Sequence, residues 1–224
     1  MSLYNVHLHK LLAIMYATPQ QKRSILMQDI RRAQTAFLAT SGGDFYAPFW
    51  ADVKAHVAGS GDLSQMSQAR IENNFRRERL YEQLKDGFLE WWTAWRRWQN
   101  EPIKLVEPGI CGKLEFGVLG ATVKVKNLLS MALGGSASSN FAVYPYFREE
   151  PELDGEAWRL AVWAVSKAVG AQVNNSFCIL DIQRGVAREY AQERLRGDEE
   201  DIFTERYADA LLAWADLGGA GPDQ

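Results

Sequence analysis

The chain has 224 residues, of which 47% are hydrophobic, 24% charged and 12% aromatic. This composition excludes a disordered chain, a collagen and a disulfide-dense mini-protein. The net charge of −3 supplies no global basic field of the kind that advertises a nucleic-acid binder. Cys111 and Cys178 stand far apart, outside any CxxC or Cys/His pair, so the reading is two reduced, mostly buried thiols in a cytoplasmic protein. The apolar run from Leu11 to Ala17 follows His7, His9 and Lys10, but it is short and no A-x-A site comes after it. No stretch reaches the roughly 18 apolar residues of a membrane span.

In chain order, Thr18-Pro19 starts a helix whose apolar positions are Leu26, Ile30, Ala33 and Phe37, and Ser41-Gly42-Gly43 stops it. A shorter helix fits Pro48 to Ala58, with Gly59 closing it. The longest helical signal runs from about Ser67 to Trp98, where Ile71, Phe75, Leu84, Phe88, Trp91, Trp92 and Trp95 recur mostly at three- and four-residue steps. Gly87 inside it reads as a tolerated weak point costing about 1 kcal/mol relative to alanine.

After Pro102 the period changes. Ile103 to Val106, Lys113 to Val118 and Thr122 to Lys126 read as strands, with Gly120 suited to a hairpin or bulge. Leu128 to Leu133 continues the last strand or forms another, and residues 134–139 are a Gly/Ser link. Phe141 to Phe147 is an aromatic strand in which Pro145 demands a sheet edge or a strand end. Asp154 to Val169 is a helix, Phe177 to Leu180 a buried strand, Asp181 to Gly185 a turn, and Val186 a short return. The tail is helical from Glu189 with an interruption near Gly197-Asp198. The expectation is an α+β chain in one domain, 1–224. A helical part, 1–102, packs on an α/β core, 103–224, which carries a small mixed sheet, a crossover helix and a C-terminal helix.

The most unusual feature is Trp91, Trp92, Trp95 and Trp98 interleaved with Arg96 and Arg97. Arginine beside aromatic rings can stack on bases and neutralise phosphates. The same pattern serves a helix that packs an apolar face while its arginines reach into water, and Trp95 reads as core. Arg76 and Arg77 upstream, with Lys124 and Lys126 on a strand, complete the cations that a nucleic acid would meet. Catalytic signatures such as GxxxxGK[ST], HExxH and GxSxG are missing from the sequence. His7 and His9 lie near a terminus read as mobile, and His56 stands alone.

From Gly112 onward, with a helix before it, the order of elements resembles the RecB-like branch of the PD-(D/E)XK nucleases, the restriction-endonuclease-like fold. In that family a helix precedes a three-strand meander and a second helix crosses to a further strand. The matching stretches are Arg70–Trp98, Lys113–Phe147, Glu156–Val169 and Phe177–Ile182. The resemblance implies an acid on the second strand and an acid-x-lysine on the third, holding a divalent metal that activates water. Here the second strand carries Lys124, Lys126 and Asn127, and the third carries Tyr144-Pro145-Tyr146 with no carboxylate before Glu149. What the resemblance implies is therefore a nuclease-like module that has lost its catalytic motif.

Three readings follow. The first is a non-catalytic accessory protein that binds a macromolecule, a nucleic acid or a protein, through Arg76, Arg77, Arg96, Arg97, Lys124 and Lys126 and the neighbouring aromatics. The second is a metal-dependent nuclease with displaced carboxylates at Glu115, Glu149 and Asp181. The third is a structural or homo-oligomerising protein whose tryptophans make a subunit contact. No cofactor, resident metal site or membrane contact is expected.

Overall fold

The computed structural model describes residues 2–35, 46–134 and 140–221. Phe37, the Ser41-Gly42-Gly43 stop and the link from Gly135 to Ser139 lie outside the described residues. The chain is mixed α/β, with more helix than strand. Its elements are β1 (Asn5–His7), α1 (Leu8–Tyr16), α2 (Pro19–Thr35), α3 (Tyr46–Val57), α4 (Leu63–Asn73) and α5 (Glu78–Arg96). There follow β2 (Ile103–Leu105), β3 (Gly112–Phe116), β4 (Ala121–Val125), β5 (Leu129–Leu133), β6 (Asn140–Tyr146), α6 (Gly155–Val169), β7 (Phe177–Asp181), β8 (Val186–Glu189) and α7 (Glu199–Asp216).

Several helix starts carry the caps their residues suggest. At the head of α2 the Thr18 and Gln21 side chains form a reciprocal pair. The Thr18 N–H donates to Gln21 Oε1 at 3.0 Å, and the Gln21 N–H donates to Thr18 Oγ1 at 3.4 Å. Asp62 accepts the Gln65 N–H at 2.9 Å before α4, and Asp154 accepts the Ala157 N–H at 2.8 Å before α6.

The expected helix from Ser67 to Trp98 is broken. Asn74 leaves the helical region at φ −158° and caps both sides of the break. Its N–H donates back to the Arg70 and Ile71 carbonyls, and its side chain accepts the Arg76 N–H at 3.2 Å. Asparagine competes well for such local bonds, and periodicity alone does not register that competition. A single turn of 3-10 helix, Phe75–Arg77, then re-aims the chain into α5.

Strand material is divided between two sheets where one small sheet was expected. A three-stranded sheet has the order β1-β4-β3, and a five-stranded sheet the order β2-β5-β6-β7-β8. The chain leaves the first at Val125 and enters the second at Leu129, turning at Asn127 with φ 65°. β1, unforeseen in the sequence, runs parallel to β4 with Val6 opposite Val123. The N-terminus read as mobile is thus paired into a sheet. In the larger sheet β5 and β6 are antiparallel, and α6 crosses over to place β7 parallel to β6 with Val143 opposite Cys178. Pro145 sits beyond the last β5–β6 pair, Leu129 with Val143, so its missing N–H interrupts no ladder on that side. The short return expected at Val186 forms as β8, Val186 to Glu189 pairing with β7, whereas the helix expected from Glu189 starts only at Glu199 as α7.

The larger sheet is the middle layer. Ala142, Tyr144, Tyr146, Phe177 and Ile179 face one core with α1, α6, α7 and the small sheet. The alternate residues Phe141, Val143, Cys178 and Leu180 face a second core with α3, α4 and α5, as the two-residue period of a strand requires. Cys178 is buried, but Cys111, just ahead of β3, is exposed, contrary to the reading of two buried thiols. Ellman's reagent is expected to titrate Cys111 alone in the native protein and Cys178 only after unfolding. Two thiols reacting fast under native conditions would contradict the packing of β7.

Candidate functional site

The tryptophans of α5 divide by their depth. Tyr81, Leu84, Phe88 and Trp91 are buried against the larger sheet. Trp92 and Trp95 are half-buried at the margin of that core, so Trp95 is a rim residue rather than the core residue expected. Trp98, one turn further and beyond the helix end, is 86% exposed. The rings form a ladder. Phe88 stacks on Trp92 at 6.1 Å, Trp92 on Trp95 at 5.5 Å, and Trp95 on Phe141 of β6 at 5.2 Å between centroids. Offset stacking at these separations is favourable beyond the area it buries. The ladder begins and ends on buried rings, Phe88 and Phe141, with Trp92 and Trp95 at the margin between them.

The six expected nucleic-acid cations do not share one surface element. Arg76 and Arg77 precede α5 and Arg96 and Arg97 end it, some 30 Å apart at about 1.5 Å per residue. Arg76 is exposed, and the Arg77 guanidinium lies over the Tyr81 ring at 5.6 Å. Arg96 turns back to donate to the Gln99 carbonyl, whereas Arg97 is exposed. Lys124 belongs to the small sheet, half-buried between His7 and Lys113 in register, and Lys126 follows it exposed. Lys104 on the edge strand β2 is exposed close in sequence to Trp98.

The three carboxylates of the nuclease alternative lie in different settings. Glu115 is exposed on β3 in the small sheet, and the Lys113 ammonium at 2.5 Å holds its carboxyl below the usual range. Glu149 is exposed beyond β6 and pairs with Arg79. Asp181 ends β7, fully buried rather than in an exposed turn. Burial pushes its carboxyl up, and Arg184, whose Nη1 is 2.9 Å from Oδ2, pulls it back. Arg184 also donates to the Glu149 carbonyl at 2.5 Å, tying the segment after β6 to the turn after β7. Among the described residues no group of three or more His, Cys, Asp or Glu side chains is placed to hold a metal ion.

Long-range polar pairs escaped the sequence reading. Arg159 of α6 meets Glu199 of α7 at 2.6 Å. The Tyr207 hydroxyl donates to the Leu3 carbonyl at 2.7 Å. The His9 N–H donates to the Tyr144 hydroxyl at 2.8 Å, which fixes a histidine that had been set aside. These partners are separated by tens to hundreds of residues, so no local pattern announces them. No helix among the described residues is long and apolar enough to cross a membrane. No family model matches the chain, and neither does any curated protein or solved structure.

Proposed function

We propose that this protein binds single-stranded nucleic acid at the C-terminal end of α5. One observation carries the reading: past the half-buried Trp92 and Trp95 the chain places an indole, Trp98, that is 86% exposed and follows the exposed Arg97. An exposed indole beside cations suits a base that stacks and a phosphate that is neutralised, and neither contact needs a particular base sequence. Lys104, exposed on the strand that follows, is taken as the second cation of the proposed site.

The test is a titration of a fluorescent oligothymidylate at low salt, repeated at rising salt. Trp98→Ala is expected to weaken binding by about 5- to 150-fold, the effect of losing one stacked base at roughly 1–3 kcal/mol, with the fold intact because the side chain is exposed. Replacing Arg97 and Lys104 together by glutamine is expected to reduce the slope of log affinity against log salt by about 1.4, or about 0.7 per phosphate contact on a single strand. No binding at low salt, or affinity indifferent to Trp98, overturns the proposal. A second reading, a protein contact anchored by Trp98, is favoured by Arg96, whose guanidinium is turned inward to Gln99 rather than outward to a phosphate.

A further inference from the structure

Where the two sheets part, β6 runs on past its last pair with β5. Asn127 carries the chain across from β4 at φ 65°. The space left beside the end of β6 is a cavity of about 190 Å³, lined by His9, Tyr46, Trp50, Lys54, Asn127 and Phe147 together with two alanines. It draws on α1, α3, the crossover and the segment after β6, elements that come together only in the folded chain.

Its walls are aromatic and fixed. The Phe147 ring stacks on Tyr46 at 5.0 Å and meets Trp50 edge-on at 5.6 Å, with His9 edge-on at 6.5 Å. Trp50 and Phe147 are buried. The Trp50 Nε1–H is committed to the Asn127 carbonyl at 2.5 Å, so the indole cannot rotate without losing that bond. Behind His9 the buried Tyr144 hydroxyl accepts the His9 backbone N–H. The slot therefore presents flat apolar faces of fixed orientation.

Its polar groups are one-sided in sign. Lys54 is half-buried, and its ammonium makes no hydrogen bond or ion pair with any described residue. No Asp or Glu is among the described residues that line the cavity. Burial holds the Lys54 ammonium below its ordinary range, with Glu107 opposing that shift from outside the lining. A half-buried cation with no carboxylate in direct contact gains from an anion that replaces the water it has lost.

We infer that this cavity is a binding site for a small planar anion, a single aromatic ring bearing a carboxylate, with the ring against the wall formed by Phe147, Tyr46 and Trp50 and the carboxylate on Lys54. The size fits, because a cavity of about 150 Å³ accommodates benzene and this one leaves room for a carboxylate besides. The site is separate from the α5 surface, and its test does not depend on nucleic-acid binding.

Benzoate is the probe, with benzamide and benzylamine as the neutral and cationic counterparts of the same shape. Binding is followed through the Trp50 indole N–H resonance and by calorimetry on the full chain. Benzoate is expected to bind saturably and shift that resonance, with benzamide at least tenfold weaker and benzylamine not bound. Lys54→Met is expected to weaken benzoate at least tenfold and to leave benzamide unchanged. Lys54→Gln serves the same purpose should the methionine variant fail to fold. The inference is overturned by equal affinity for benzoate and benzamide, by a preference for benzylamine, by an unchanged affinity in the lysine variants, or by no binding of benzoate at all.

Discussion

Replacing Gly87 by alanine is expected to destabilise this protein by about 3 kcal/mol, the upper part of the range that overpacking costs. In a helix exposed to solvent the same change stabilises by about 1 kcal/mol, because alanine is the better helix former. Here the sign reverses. Gly87 lies on the buried face of α5, and a Cβ there would overlap the Ile182 carbonyl oxygen and stand 3.0 Å from the Gly185 nitrogen. The obstacle is backbone on both counts, so no side chain can turn aside to make room. Gly185 itself takes φ +62°, and its own Cβ would stand 3.0 Å from the Gly87 carbonyl oxygen. The two glycines are thus the contact by which α5 rests on the turn after β7. In thermal unfolding the expected loss is roughly 6–12 °C, at about 2–4 °C per kcal/mol for a chain of this size. Gly155→Ala is the control, because nothing lies within 4 Å of a Cβ at that position. A Gly87→Ala variant as stable as the parent would refute the close approach.

The second large effect belongs to Arg159. It is 4% exposed on α6, and its Nη1 meets Glu199 Oε1 at 2.6 Å as well as Asp198. Glu199 is 2% exposed and also accepts the N–H groups of Arg196 at 2.7 Å and Gly197 at 3.0 Å. Arg159→Met is expected to cost about 3–5 kcal/mol, because it leaves a buried carboxylate without its cation. The pH dependence follows from the direction of the Glu199 shift. Burial acts to raise its carboxyl, but the Arg196 N–H, the Arg159 guanidinium and the Gly197 N–H outweigh that and hold it below the ordinary range. An acid depressed in the folded state contributes stability that is present above its unfolded pKa of about 4.3 and lost as pH falls through the folded value. Parent and variant should therefore differ most at neutral pH and converge on acidification, where a protonated Glu199 no longer needs the guanidinium. Urea midpoints of the two proteins across that range check this, and a gap independent of pH would exclude Glu199 as its source.

Both effects arise from contacts between elements far apart in the chain, and that is where the sequence was least informative about the candidate sites as well. The tryptophan cluster was visible at once, but which of its members is buried depends on where α5 leaves the margin of the larger sheet. Trp91 falls inside that margin, Trp95 on it and Trp98 outside, although the three are only three or four residues apart in turn. The cavity was invisible. Tyr46, Trp50 and Lys54 share a helical spacing on α3, but nothing in the sequence relates them to His9, Asn127 or Phe147, and the Trp50–Asn127 bond spans 77 residues.

What the amino-acid sequence determined by itself was whatever depends on neighbours a few positions apart. The Asp154 cap and the Gly-terminated apolar stripe that follows specify α6, and the alternation from Thr122 to Lys126 specifies β4. Pro145, read as marking a sheet edge or a strand end, lies next to the last residue of an interior strand, past its final pair with β5, and the change of period after Pro102 divided helix from sheet with only β1 ahead of it. The tertiary structure alone decided that the strands separate into two sheets at Asn127, and that three N-terminal residues form a parallel strand against β4. It also decided that a glycine read as a weak point is a required close contact. Periodicity reports which face of an element is apolar, and caps report where it stops. Neither reports which distant backbone or charge will be opposite that face, because that partner is selected by packing the whole chain.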